Sequence, residues 1–161
     1  VTKEEVERLV GAEVVPPSHF HKDFCSFKYL PRQLSESRTP LAVLSMTENL
    51  GMVTRFRLSR DSLARFTLMV RKGYRDPPYH NWLHAFSVTH FAYLLIHNLR
   101  LMERGALTHL EALALIVSSM CHDLDHRGTT NSFQVASITV LIRRVSDGTT
   151  PSGSGHVYPQ H

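Results

Sequence analysis

Apolar residues recur at helical spacing along most of this chain, in blocks separated by proline or glycine. In "TKEEVERLV" Val6, Leu9 and Val10 share a face behind Thr2, a residue suited to an N-cap, which predicts a short amphipathic helix. Pro16 and Pro17 break that pattern, because proline has no amide hydrogen to give to a helix. A second helix is predicted over "TPLAVLSMTENLG", with Thr39 capping, Pro40 in the first turn and Gly51 at the end. A third covers "SRDSLARFTLMVRKGY", where Leu63, Phe66 and Val70 form the apolar face and Gly73 the C-cap. After "RDPPYHN" come a longer helix from about Trp82 to Glu103, a turn around Gly105, and an apolar helix ending near Asp123. Six consecutive apolar residues in that last helix, Ala112 to Val117, predict burial on most of its sides. No alternating pattern of the strand kind competes with these blocks, so the predicted fold class is all-α. Beyond Ser137 the periodicity fades, and "DGTTPSGSGHVYPQH", rich in Gly, Ser, Thr and Pro, reads as a disordered tail over 142–161.

Composition narrows the function classes. A chain of 161 residues with 42% hydrophobic and 20% charged content is that of one globular domain with a real core. The formal charge of +4 attracts anions only weakly, and without a Lys/Arg run or an aromatic-interleaved basic stripe no nucleic acid is expected as a partner. Cys25 and Cys121 are far apart and in no CxxC spacing, which argues against a disulfide framework or a thiolate zinc site and fits a reducing, cytoplasmic setting. The longest apolar run falls short of the roughly 20 residues of a membrane span, so no transmembrane segment is expected. Any membrane association would depend on regions outside this chain. The start, "VTKEEVERLV", is charged where a signal peptide is apolar, and a helix already under way at Val1 reads as an excerpt from something longer.

Candidate chemistry lies in histidines and aspartates. His80 and His84 in "YHNWLHAF" are four apart, so in a helix they share a face, and His122 and His126 in "CHDLDH" repeat the spacing around Asp123 and Asp125. One HxxxH pair alone is more often a surface pair or satisfied core histidines, and "HDLDH" alone could be a buried ion-paired turn. Together, with the second delivered by an apolar helix, they favour a metal site, because burying several ionisable groups without partners costs many kcal/mol. Imidazole nitrogen with carboxylate oxygen and no thiolate suits zinc, manganese, iron or magnesium, with open positions for water. His90 and His97 read as packing or surface residues of their helix. His19, His21, His109, His156 and His161 carry no assigned role, and both cysteines read as small buried residues.

"YHNWLHAFSVTHF" followed by "HDLDHRGTTNSFQVAS" resembles the class I cyclic nucleotide phosphodiesterases, whose catalytic domain carries HNxxHA and HDxDHxGxxN. The span from about Phe24 to Ser137, including "LARFTLMVRKGYRDPPYHNW", looks most like the cGMP-stimulated, dual-specificity subfamily. The resemblance implies the N-terminal portion of the multi-helical, HD-type phosphodiesterase catalytic domain: a linker with an N-terminal helix over 1–23, a partial catalytic domain over 24–141, and a divergent tail over 142–161. It implies metal-dependent hydrolysis of cAMP or cGMP to nucleoside 5′-monophosphates in second-messenger signalling. His84, His122 and Asp123 are the implied ligands of a tightly held zinc, and Asp123 bridges to a second metal, magnesium or manganese. Asp125 and His126 are implied as groups that orient the metal ligands or contact water, His80 as the general acid, and Tyr79 as a substrate-binding residue at the pocket wall. Implied partners are the cyclic nucleotide and, among assemblies, a homodimer.

In the resembled family a further Asp ligand, and the glutamine and phenylalanine that hold the purine, follow far beyond HD, and past "NSFQVAS" this sequence no longer aligns. The expectation is a remnant three-ligand site at His84, His122 and Asp123, and poor hydrolysis by the isolated chain. The alternative reading is a catalytically inactive isoform or fragment acting as an interaction module. A different histidine-aspartate metallohydrolase is the third, against which the context around Tyr79 to Phe86 speaks.

Overall fold

The computed structural model describes residues 1–126. The tail expected over 142–161, and the expected partial domain from 127 to 141, lie outside the described residues. Six α-helices appear among those described: α1 (Lys3–Gly11), α2 (Thr39–Asn49), α3 (Met52–Arg55), α4 (Arg60–Gly73), α5 (Trp82–Asn98) and α6 (His109–Cys121). Short 3₁₀ turns at Pro17–His19, Pro31–Gln33 and Glu36–Arg38 fill the link between α1 and α2, and no strand is present among these residues, in keeping with the all-α expectation. None of the described helices is long and apolar enough to cross a membrane.

Local signals set several boundaries. The Thr2 hydroxyl accepts from the Glu5 amide while the Glu5 carboxylate accepts from the Thr2 amide at 2.7 Å, a capping box that satisfies two orphan donors of α1. Thr108 and Glu111 repeat the device at the start of α6. The expectation that Thr39 caps α2 is corrected: Thr39 is the first helical residue, and its hydroxyl donates to the Glu36 carbonyl and accepts the Trp82 indole N–H, both at 2.7 Å. A residue that reads as a local cap thus ties the start of α2 to the start of α5. Gly51 does take the left-handed conformation that ends α2, with φ 73°.

α2 is the central element. Eight of its residues from Thr39 to Thr47 are buried; Leu44 packs with Val6, Leu9, Ala64 and Leu68 of α1 and α4, while Ala42, Val43 and Met46 join Phe24, Phe86, Tyr93, Ile96 and Met120 in the main core. Burial on most sides, expected for α6, belongs to α2 instead. In α6 Ala112, Ile116, Ser119 and Met120 are buried, but Ala114 and Leu115 are exposed and Leu113 and Val117 half-buried. The face expected on α4 is likewise shifted: Val70 is buried with Ala64, Thr67 and Leu68, whereas Leu63 and Phe66 are half-buried and line an apolar recess with Leu113 and Val117.

The helix expected to run to Glu103 ends at Asn98. Arg100 turns left-handed with φ 52°, and the Leu101 amide donates back to the Ile96 carbonyl, a Schellman-type end that folds Leu101 and Met102 onto the core. Arginine at that position gives no warning in the sequence, because glycine ordinarily marks it.

His90 of α5 is 1% exposed, with Nε2 at 2.7 Å from the Phe24 carbonyl oxygen and its ring against Phe24 and Tyr29. A carbonyl only accepts, so Nε2 carries the hydrogen. Burial pushes this imidazole below its ordinary 6.5. The unfolded chain therefore binds a proton that the folded chain refuses, and stability is lost as pH falls below about 6.5 toward the depressed folded value. Thermal unfolding followed between pH 7 and pH 5 should show a steeper loss of melting temperature for the natural chain than for His90→Gln; parallel pH profiles would refute it.

Candidate metal centre

The first motif is built by a helix start. The Asn81 side-chain oxygen accepts the His84 amide at 3.1 Å and its amide group donates to the Pro77 carbonyl, so Asn81 is the N-cap of α5. His84 stands in the first turn, while Tyr79 and His80 precede the cap. The second motif is built by a helix end: His122 is the C-cap of α6, and Asp123 to His126 continue as a turn in which Asp125 is left-handed, φ 61°. A spacing of four puts two histidines on one face only within a helix, and here His80 precedes α5 and His126 follows α6, so neither pair lies within one.

Within the first motif His80 and His84 meet edge-on with ring centroids 5.7 Å apart, and closer pairs form across the motifs. His84 meets His122 with Nε2 atoms 3.3 Å apart, and His80 lies against His126, tilted, with ring centroids 4.0 Å apart. Asp123 stands between the pairs. Its Oδ2 is 3.0 Å from His122 Nε2 and 3.4 Å from His84 Nε2, and it belongs both to the set His84, His122, Asp123 and to the set His80, Asp123, His126, whose ligand atoms in each case lie within 4.8 Å of one another.

The first set fits a divalent cation. Ligand atoms about 2.0–2.2 Å from a tetrahedral cation lie about 3.3–3.6 Å from each other, and the observed 3.0–3.4 Å is close to that spacing. His122 Nδ1 is 2.8 Å from the Ser119 carbonyl, to which it must donate, and in the neutral ring this leaves the Nε2 lone pair facing the other donors. Burial and then the neighbouring His122 push the His84 imidazole below its ordinary value, with Asp123 opposing, so His84 is poised to offer a lone pair at neutral pH. Cys121 stays a thiol, its pKa raised by burial.

The remaining expected residues are placed around this centre. Tyr79 is 58% exposed, with its ring against His80 and His84 at 4.9 and 4.8 Å between centroids. It borders an open recess with Arg32, His84, Ser87, Val88 and Phe91. The Asp125 carboxylate is held by Arg75 Nε at 2.6 Å, and its amide donates to the Gly73 carbonyl. Gly73 is the last residue of α4 rather than a left-handed cap; a side chain there would come within 2.8 Å of Leu124 Cδ1.

Sequence reasoning missed Tyr74. Its hydroxyl donates to the Met120 carbonyl at 2.9 Å and accepts the Asp123 amide at 3.2 Å, while burial raises its pKa and so preserves the O–H. "KGYRD" carries no spacing that relates it to the aspartate, so nothing local could have found it.

Comparison with known proteins bears on what this centre is. Residues 79–150 match the sequence model of the family described as 3′5′-cyclic nucleotide phosphodiesterase. The chain is 36% identical over 148 residues to a dual 3′,5′-cyclic-AMP and -GMP phosphodiesterase 11 of Drosophila melanogaster, covering 92% of this chain and 10% of that protein. It is 39% identical over 140 residues to dual 3′,5′-cyclic-AMP and -GMP phosphodiesterase 11A of Takifugu rubripes, covering 87% of this chain and 15% of that one. It is 43% identical over 140 residues to a cGMP-specific 3′,5′-cyclic phosphodiesterase of Drosophila melanogaster, covering 87% and 12%. The chain thus spans between about a tenth and a seventh of the length of these relatives. With that likeness running through nearly all of its own length, and with both histidine motifs inside the matched residues, the chain belongs to the 3′,5′-cyclic nucleotide phosphodiesterase family.

Proposed function

We propose that this chain carries the metal-binding part of a phosphodiesterase catalytic centre, and that the whole protein hydrolyses cAMP or cGMP to nucleoside 5′-monophosphates. One observation carries the reading: two motifs far apart in sequence each contribute one histidine to each of two donor sets that share Asp123. In this reading His84, His122 and Asp123 hold a zinc ion, and Asp123 also serves a second cation, magnesium or manganese. Such cations, when bound, supply Lewis-acid polarisation of a phosphoryl oxygen and activation of water.

The chain's own residues supply position and a proton. Asn81 fixes the turn from which His80 and His84 diverge, so both are set by one cap. His80 gives its proton to the leaving 3′ oxygen, a task for which imidazole suits because it exchanges protons near neutral pH. The His126 ring packed against His80 holds it in place, and the pairing of Asp125 with Arg75 holds the turn that carries His126. Tyr79 offers an aromatic wall beside His84 for the nucleotide. Names of the relatives, dual-specificity and cGMP-specific, support a cyclic purine nucleotide as the substrate class.

Because the chain spans a small part of those relatives, the test uses the whole protein. With zinc and magnesium supplied, His80→Ala should lower kcat by about 100- to 10,000-fold while bound zinc, read by atomic absorption, is retained. An unchanged kcat would remove His80 from the proton-donor role. No hydrolysis of either nucleotide by the zinc-loaded natural protein would remove the substrate assignment.

A further inference from the structure

Helix α6 ends without a glycine cap; the Cys121 carbonyl accepts the Leu124 amide, and two other orphan carbonyls are met by side chains that are themselves tied to the donor sets. Ser119 O takes the His122 Nδ1 hydrogen, and Met120 O takes the Tyr74 hydroxyl. The same Tyr74 oxygen accepts the Asp123 amide, so one hydroxyl bridges the last turn of the helix and the first residue beyond its cap. Both hydrogen-bonding capacities used at this oxygen point at the backbone that delivers the shared carboxylate. Tyr74 is 9% exposed and meets Trp82 edge-on at 6.1 Å, and Trp82 is the first residue of α5, the helix that presents His84. Next to it the Asp125 amide donates to Gly73 O, a second tie between the turn and the end of α4.

We infer that Tyr74 is a positioning residue for the metal centre: its hydroxyl, bridging Met120 O and Asp123 N, sets the place from which the Asp123 carboxylate reaches both donor sets. This rests on the metal-centre reading above. The hydroxyl touches no reacting atom and acts through the backbone of residues 120–123. A ring without the hydroxyl keeps the contact with Trp82 and loses only the bridge, which separates this role from plain packing.

The test compares the chain with Tyr74→Phe and with Tyr74→4-aminophenylalanine, whose amine can donate and accept in the same place. Cobalt(II) titration, followed by calorimetry and by the visible ligand-field bands, should show about 10- to 100-fold weaker binding and altered bands in the Phe variant, the scale expected when a ligand's supporting partner is removed. The amine variant should recover most of both. Hydrogen exchange in the metal-free chain supplies a readout that needs no metal: the Asp123 amide should exchange faster in Tyr74→Phe than in the natural chain. Unchanged exchange at Asp123, or unchanged cobalt affinity and bands, would overturn the inference. So would loss of the far-UV helical signal in Tyr74→Phe that the amine does not restore, since the role would then be structural. A natural chain that binds no cobalt would defeat the metal-centre reading itself, and faster Asp123 exchange in the variant would then show the bridge standing without it.

Discussion

Asp123→Ala should abolish tight metal binding, lowering affinity for zinc or cobalt by more than about 100-fold, because removal even of a ligand's supporting partner costs about 10- to 100-fold. Asp123 is the residue common to both donor sets, and its side chain is only 17% exposed between them. What is left of the two sets in the variant is His84 with His122 and His80 with His126, each having lost the carboxylate they shared. Proton competition does not account for such a loss. Asp123 pulls the His84 imidazole upward against burial and His122, so removing the carboxylate makes His84 more readily neutral. Calorimetric titration at neutral pH measures the affinity and the stoichiometry together. Asp123→Asn, which keeps one oxygen and loses the charge, should fall between. Retention of the natural affinity in the alanine variant would show that Asp123 is not a ligand.

Trp82→Ala should have the largest effect on stability, about 3–5 kcal/mol, the range for removing a large buried aromatic side chain. Trp82 is 4% exposed, its indole N–H donates to Thr39 at the start of α2, and its ring supports Tyr74. Thr39 still donates to the Glu36 carbonyl in the variant, so the loss comes chiefly from the cavity and the missing transfer of the ring from water. Urea unfolding with an unchanged slope and a lower midpoint is the expected record. A cost below about 1 kcal/mol would mean that the site collapses around the gap and that the tie Trp82 makes between the starts of α2 and α5 matters little to stability.

The elements that were legible are those whose signal is local. Thr2 with Glu5 marks the start of α1 because a hydroxyl and a carboxylate three residues apart can satisfy each other's backbone amides, whatever else surrounds them. Gly51 marks a turn because few other residues take its backbone angles at little cost. The end of α5 was not legible, because Arg100 takes the left-handed position for the sake of Leu101 and Met102 packing inward, a gain that exists only once a core exists. Burial followed the same division. The six-residue apolar run in α6 says that the helix is apolar, not how many neighbours it has, and α2, with its interspersed threonines and serine, is the one surrounded. Its hydroxyls are admitted because Thr47 bonds the Val43 carbonyl and Ser45 the Val15 carbonyl.

The sequence by itself determined the helical class, from periodicity, and the donor chemistry, since His80, His84, His122, Asp123 and His126 are the residues gathered in the structure whatever path the chain takes between them. Tertiary structure alone decided which donors stand together. Asn81 starts a helix between His80 and His84, and α6 stops at His122 before His126, so the closest pairs, His80 with His126 and His84 with His122, run across the motifs. It alone also recruited Tyr74, 49 residues from the amide it holds. The physical reason is common to both: a helix cap is read from a few neighbouring residues, whereas the distance between side chains on two helices is fixed by everything packed between them.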